Sequence, residues 1–598
     1  MLQVTGYPAL QEGLEYLKTY VAAAEDRGEG VLVFCEDRLT LLAEQAICEA
    51  VGGTFLSSVT TFARFLRYDG KILSKQGSVM VIGKILTDHA AELACFSPRA
   101  GANNGAEAVY EMIAQLSASK VTPEMLEADD IEAGLLKDKL HDLALVYRLY
   151  GEFLVKNEYV DENGYLALLP EAIRSGEQTR GGNVVFLGFT SFTAQALDGV
   201  RAACECAENV LGLLPAGNAE IYSRQAATAF RKVCAEYGEV KLSQLKIPAE
   251  RQSAADVLRQ NLFRPEVFSP AFPAVSSDGS VKIAALSDVE EELRLVCSRI
   301  KKHVFAGGRY SDAAVFLPDV NGYSILLAKV FKEYEIPYFA DSRKSLSSHP
   351  FAFFLTSVLR AVADGASPQA VEQVASSRYF GDDGEYRNYL AKFCNYRGGA
   401  RREIKQGDVV KEFDRDYLVS MRERLLSGMG IFSKTMTGKK FCDGVRKLYE
   451  RFNAAAVTEE LMRRCEDALQ QEYLSKLEKS LQGVLEESES LLGDSSLSIS
   501  EFLNVLENGL QACEVSLLPL TRDEVFVGDI TQSRTGANKL VFALGLTDQV
   551  PARGEDTALL SDREMQRLEG VKVKIEPSVA QVNERTRENV ALNICSFT

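Results

Sequence analysis

Residues able to do chemistry are sparse in this 598-residue chain, and they are scattered. Twelve cysteines (35, 48, 95, 204, 206, 234, 297, 394, 442, 465, 513 and 595) are spread along its length, beside four histidines and no tryptophan. Only Cys204 and Cys206 are neighbours. A lone CxC lacks the several ligands at set spacings that a zinc or iron–sulfur site needs, so the plain reading is buried, reduced thiols and no metal. No HExxH pair and no Ser/His/Asp or Cys/His arrangement stands out. One polar run is better placed. Gln532, Ser533 and Arg534 follow the strand-like EVFVGDI, and loops at strand ends are where α/β sheets hold ligands. Two basic clusters, RGGARREIK at 397–405 and GKKFCDGVRKLYER at 438–451, carry the charge that phosphate contacts use. Each reads first as a solvated helix face.

The net charge is −17, with 46% hydrophobic and 25% charged residues. A dedicated nucleic-acid module carries a basic surplus. The acidic balance therefore argues against a stand-alone DNA binder, while leaving room for a local basic channel. No apolar run reaches the roughly 20 residues of a membrane helix. The opening MLQVTGYPALQEG lacks the basic-then-apolar order of a signal peptide. The expectation is a cytoplasmic protein with no membrane partner.

A single core stops growing at about 250–300 residues, so this length predicts two α/β units, each with a helical insertion. Helical spacing over 8–24 leads to the strand VLVF at 31–34 and a helix over 39–51 ended by Gly52 and Gly53. Residues 54–59 read as a further strand. The region from about 80 to 175 reads as helical throughout, its longest helix spanning 131–157. GGNVVFLGF at 181–189 and NVLGLLP at 209–215 restore strands around a helix at 193–205. The Pro- and Ser-rich stretch 265–280 marks a linker. VKIAAL, DAAVFLP and PYFA then alternate as strands with helices over 288–305 and 324–334, which predicts a parallel sheet. Residues 350–512 read as helical before EVFVGDI and KLVFALGL resume the strands.

That order resembles superfamily 1 helicases, in which two RecA-like (P-loop NTPase-type) domains each carry a helical insertion. Local segments narrow the resemblance to the AddB-type subunit of bacterial helicase–nucleases. They are the run from DVEEELRLVCSRI to KSLSSHPF over 288–351, VVFLGFTSFTAQALDGVRA at 184–202, VFVGDITQSRTGANKLVFALGLTDQVPA at 525–552, and LLSDREMQRLEG beyond it. The likeness covers most of the chain and is weakest in the helical insertions. The implied division is a first RecA-like domain of 1–90 and 180–265 with an insertion at 91–179, a linker at 266–280, and a second RecA-like domain of 281–365 and 513–598 with an insertion at 366–512.

The resemblance also says where ATP chemistry belongs, and the residues there are unsuited to it. A P-loop cradles phosphate with glycine backbone amides, a Lys and a Mg²⁺-holding Ser/Thr. Here LQV is followed by TGYPALQEG. Gly6 and Gly13 remain, but there is no Gly-Lys-Ser/Thr, Pro8 removes an amide, and Glu12 would repel phosphate. Leu187 falls where an acid should hold Mg²⁺, and Pro318 where an arginine should touch the γ-phosphate. Three coincident gaps point to a degenerate nucleotide site.

For DNA, the resemblance places Thr60, Thr61, Phe62 and Arg64 against a single-strand backbone, where hydroxyls and Arg suit phosphate and Phe suits a base. The competing reading is a helix cap with one core aromatic. Ser347, Ser348 and His349 are candidates at the second domain, with Ser348 as an alternative cap for a helix starting near Pro350. Gln532, Ser533 and Arg534 complete the set.

The family's iron–sulfur cluster and nuclease metal belong to a region beyond the helicase-like part. Neither their cysteine set nor their paired acids and lysine are recognisable here, so we expect no cofactor in this chain and read it as truncated. The expectation is a non-motor scaffold in double-strand-break processing for homologous recombination. It would guide single-stranded and duplex-end DNA beside an AddA-type helicase–nuclease partner, with reading of a recombination hotspot implied by the family. Two rivals remain: an active superfamily 1 helicase, and a purely structural partner of the motor subunit.

Overall fold

The computed structural model describes residues 1–96, 105–127, 134–215, 225–246, 253–263, 278–341, 343–382, 384–394, 404, 413–465, 468–516, 523–533, 538–548, 550–551 and 559–597. Its first sheet has six parallel strands: β1 (Leu2–Tyr7), β2 (Val31–Cys35), β3 (Ser58–Thr60), β4 (Asn183–Leu187), β5 (Asn209–Pro215) and β6 (Val240–Gln244). Their order is β3-β2-β4-β5-β1-β6. β2 and β4 are buried at every position, as a parallel sheet covered on both faces requires. The two-residue side-chain period sorts them. Leu32, Phe34, Val184 and Phe186 meet helices Leu169–Ser175, Ala194–Cys206 and Gln225–Cys234 on one face. Val31, Val33, Val185 and Leu187 meet helices Leu10–Glu25 and Thr40–Val51 on the other.

The second sheet is also parallel, in the order β8-β9-β7-β10, from β7 (Ala313–Leu317), β8 (Tyr338–Asp341), β9 (Val525–Asp529) and β10 (Leu540–Ala543). Helices Val289–Phe305 and Val320–Glu333 cover one face, their N-termini closed by Asp288 and Asp319 side chains. Helix Val579–Ile594 covers the other through Val590 and Ile594, against Phe316 and Ile530.

The structure departs from the sequence pattern in several places. VKIAAL at 281–286 forms no strand and is largely exposed, with Ile283 95% exposed. The polar VKLSQ of β6, unread in the sequence, pairs as an edge strand. Short strands also appear in regions read as helical: 159–161, paired with 71–73, and 435–437 with 496–498. Most of the 266–280 linker lies outside the described residues.

The segments between the sheet halves pack on each other. Helix Lys75–Asp88 lies along helix Ile499–Ala512. Glycines set the approach: a Cβ on Gly509 would sit 1.8 Å from Met80 Cε, and one on Gly83 would sit 2.4 Å from Asn508 Nδ2. Met80 is 1% exposed and meets Ser488 Oγ at 3.6 Å. Beyond β10 the chain crosses back, and Leu560, Met565, Leu568 and Ile575 pack on Met112, Leu116, Leu140 and Leu143. Lys139 Nζ bonds both Glu564 Oε1 (3.0 Å) and the Leu559 carbonyl (3.1 Å). Truncating Met80 leaves a cavity at this seam. Met80→Ala should lower stability by about 2–4 kcal/mol in chemical denaturation; a loss within experimental error would mean that the seam carries little of the fold.

Candidate functional site

The nucleotide cradle expected after β1 is a turn of two residues. β1 ends at Tyr7, and the next helix begins at Leu10, so only Pro8 and Ala9 intervene. Two residues cannot wrap a phosphate as a P-loop does. The space is also filled. Tyr7 is 2% exposed and its ring lies against Gly13, where a Cβ would come within 2.7 Å of Cδ1. Its hydroxyl reaches to 3.6 Å of the Cβ position of Gly188. Gly6 lies within β1, paired with Leu214 and Gln244. Leu187 has no exposed surface and shares the core cluster of Tyr7 and Leu39. Gly188, at φ +80°, turns the chain where a side chain would strike Leu39.

The charge at this sheet end is acidic. Burial, then Glu36, Asp37 and Glu44, push the Cys35 thiol up to about 12. At the second sheet, Pro318 is half-buried beside Gly545, whose amide donates to Glu292 Oε1 at 3.4 Å. A carboxylate, rather than an arginine, stands next to that position.

The DNA-contact candidates divide by exposure. Thr61 is buried and caps the short helix Phe62–Phe65, accepting from the Arg64 amide at 3.2 Å. Phe62 stacks on Phe189 at 5.2 Å and packs near Phe34, within an aromatic cluster on the sheet. Thr60 is half-buried at the end of β3, and Arg64 is exposed, 3.4 Å from Asp37. Ser347 and Ser348 are exposed in a single turn that Ser345 caps. The cap of helix Pro350–Ala363 is His349, not Ser348: its Nδ1 accepts from the Phe351 amide at 3.1 Å. Ser533 is 1% exposed, donates to Asp341 Oδ2 at 2.7 Å and accepts from the Asp529 amide at 2.9 Å. Asp529 Oδ1 also gathers the amides of Thr531 and Gln532, leaving the Gln532 side chain outward. Arg534 and all of 397–405 except Ile404 lie outside the described residues. Tyr7, Asp341 and Asp529 are the residues that sequence reading missed. Tyr7 sits in what reads as a turn, and the two aspartates act as loop anchors.

Among the described residues, no three His, Cys, Asp or Glu side chains converge to hold a metal. Cys204 faces Cys234, sulfur to sulfur at 3.7 Å, while Cys206 turns to the Ile173 carbonyl. This scattered donor set does not fit an iron–sulfur cluster. No helix among them is long and apolar enough to cross a membrane.

These features define an α/β protein of two parallel sheets whose strand ends carry polar and acidic loops. Residues 37–245 match the family model described as ADDB, N-terminal. The chain is similar to the B-type subunit of the ATP-dependent helicase/deoxyribonuclease of Listeria welshimeri, at 23% identity over 94% of this chain and 53% of the relative. The corresponding protein of Listeria monocytogenes is 25% identical over 88% and 49%, and that of Heliobacterium modesticaldum 27% over 91% and 49%. Over most of its length the chain is similar to AddB-type subunits. It spans about half the length of the curated relatives it matches.

His349 carries a pH dependence. Burial holds its pKa down at about 4 against an ordinary 6.5, opposed by the Leu474 carbonyl. Between those values the unfolded chain takes up a proton that the folded chain refuses, so stability falls as pH drops from 6.5 to 4. The full effect is about 3 kcal/mol. His349→Asn keeps a capping side chain and should flatten that part of the stability–pH curve; parallel curves would rule out His349 as the source.

Proposed function

We propose that this chain is the helicase-like, ATPase-inactive platform of a helicase–nuclease subunit that processes double-strand DNA breaks for homologous recombination. Its two sheets are read as RecA-like domains, 1–90 with 180–265 and 281–365 with 513–598, carrying insertions at 91–179 and 366–512. It would guide single-stranded and duplex-end DNA beside an AddA-type motor subunit. The observation that carries the loss of hydrolysis is Tyr7, buried against Gly13 in a two-residue turn. A motor must hold phosphate there, and an aromatic ring occupies the space. In β3-β2-β4-β5-β1-β6, one strand (β5) separates β1 from β4, and both strands end at the same sheet edge. Leu187 and the former cradle are therefore neighbours at that edge, as a nucleotide site would require. Recognition of a hotspot sequence is carried only by the family likeness.

The exposed candidates Arg64, Ser347, Ser348 and Gln532 would supply the DNA contacts. The burial of Thr61, His349 and Ser533 in caps and cores, with Phe62 half-buried against Phe189, favours a second reading, in which the chain serves only as a structural partner of the motor. Two measurements separate these readings. The purified chain should show no DNA-stimulated ATP hydrolysis; measurable stimulated turnover would establish an active helicase instead. It should bind a single-stranded oligonucleotide weakly and salt-sensitively, and Arg64→Ala should lower the log K against log salt slope by roughly 0.7. No binding at low salt, in the chain or in its complex, would favour the structural partner.

A further inference from the structure

Helix Gly438–Arg451 is a basic surface built on a rigid base. Its inner side is locked in the core: Phe441, Val445 and Leu448 are fully buried, and Phe441 stacks on Phe502 at 4.6 Å. The first turn is held by the Thr437 hydroxyl and by bonds from the Gly438 and Lys439 amides to the Ser495 and Gly493 carbonyls. The outer side is cationic. At about 100° per residue, Lys440, Lys447 and Arg451 fall within roughly 40° of one another. All three are exposed, and so is Lys439. Lys439, Lys440 and Lys447 make no ion pair among the described residues, while Arg451 uses one nitrogen on the Ser427 carbonyl at 3.0 Å. The carboxylates on this face are Asp443, held by Arg446 at 3.0 Å, and Glu450. The next helix differs: there Arg463 and Arg464 face Glu459 and Glu460 one turn away.

A run of unneutralised lysines on a rigid helix is unusual in a chain of net charge −17. We propose that this face binds the phosphate backbone of duplex DNA. The spacing along the helix is about 10 Å from Lys440 to Lys447 and about 6 Å from Lys447 to Arg451. Three cations set along one helix face can meet several backbone phosphates at once, each contact adding to counterion release. The helix's single aromatic besides buried Phe441 is Tyr449, half-buried on the opposite side of the helix against Phe351. Without an exposed ring for bases to stack on, the surface suits backbone contact rather than single-strand capture. The inference rests on the DNA-handling reading above and adds to it a second contact surface, in the helical insertion.

The test is fluorescence anisotropy of the full chain with a blunt 25-base-pair duplex of random sequence and with a single-stranded oligonucleotide, across a NaCl series. Lys440→Gln with Lys447→Gln should weaken duplex binding roughly ten-fold or more near 0.1 M salt and lower the slope by roughly 2, equally for unrelated sequences. Lys440→Arg with Lys447→Arg should bind as the parent does. Unchanged thermal melting of the Gln pair excludes misfolding as the cause. If the parent binds DNA and the Gln pair matches its duplex affinity and slope, this surface is overturned while the DNA-handling reading survives. A loss confined to the single-stranded probe overturns the duplex assignment. A parent that binds neither probe at low salt overturns both.

Discussion

Everything in this molecule depends on how closely helix Lys75–Asp88 approaches helix Ile499–Ala512. The two helices come from segments that interrupt different sheets, and they touch because Gly83 and Gly509 present no side chains. Met80 fills the space over Gly509 and joins the core of the second sheet, while Ala512 joins the cluster around Val79 and Ile82. The return of Leu560–Ile575 onto Leu116 and Leu140 adds a second apolar join. Any side chain at Gly509 meets Met80 first, so the spacing of the seam is written into a glycine and a flexible methionine.

Such a join has a consequence for motor chemistry. A two-sheet motor opens and closes its cleft during turnover, and motion between units is the default only where their interface is small or polar. Here the interface is apolar and continuous with the cores. The same chain has a turn too short for phosphate, filled by Tyr7. An apolar seam and a filled turn are physically consistent with each other: the Tyr7 ring packs against Gly13 and supports β1 where an open loop would not.

The elements legible in the sequence were those where one local signal decides the outcome. Buried strands such as VLVFC and NVVFL read as apolar runs, and Gly52 marks a helix end through a left-handed turn. What failed to read depended on distant partners. VKIAAL has the strand pattern, but a strand exists only by pairing, and this one has no ladder. VKLSQ lacks the pattern yet pairs at the edge of the first sheet, where half-burial suffices. At the site, the missing lysine and acid could be read from residue types. The filling of the cradle could not, because the burial of Tyr7 rests on the absence of a side chain at Gly13, six residues on.

The same distinction decides which polar residues remain available to a ligand. Thr61, His349, Ser533 and Asp529 have phosphate-compatible or loop-end chemistry, and each is spent on a backbone amide of this chain. Recruiting one to DNA would exchange a made hydrogen bond for another of similar worth and leave an amide without its acceptor, which costs about 1–3 kcal/mol when buried. Exposed cations carry no such cost. Lys440 and Lys447 give up only water and mobile counterions when they meet a phosphate, and counterion release favours the exchange. In a chain whose loop-end polar groups are largely committed to its own fold, the proposed contact with DNA would therefore be driven by backbone charge before base identity.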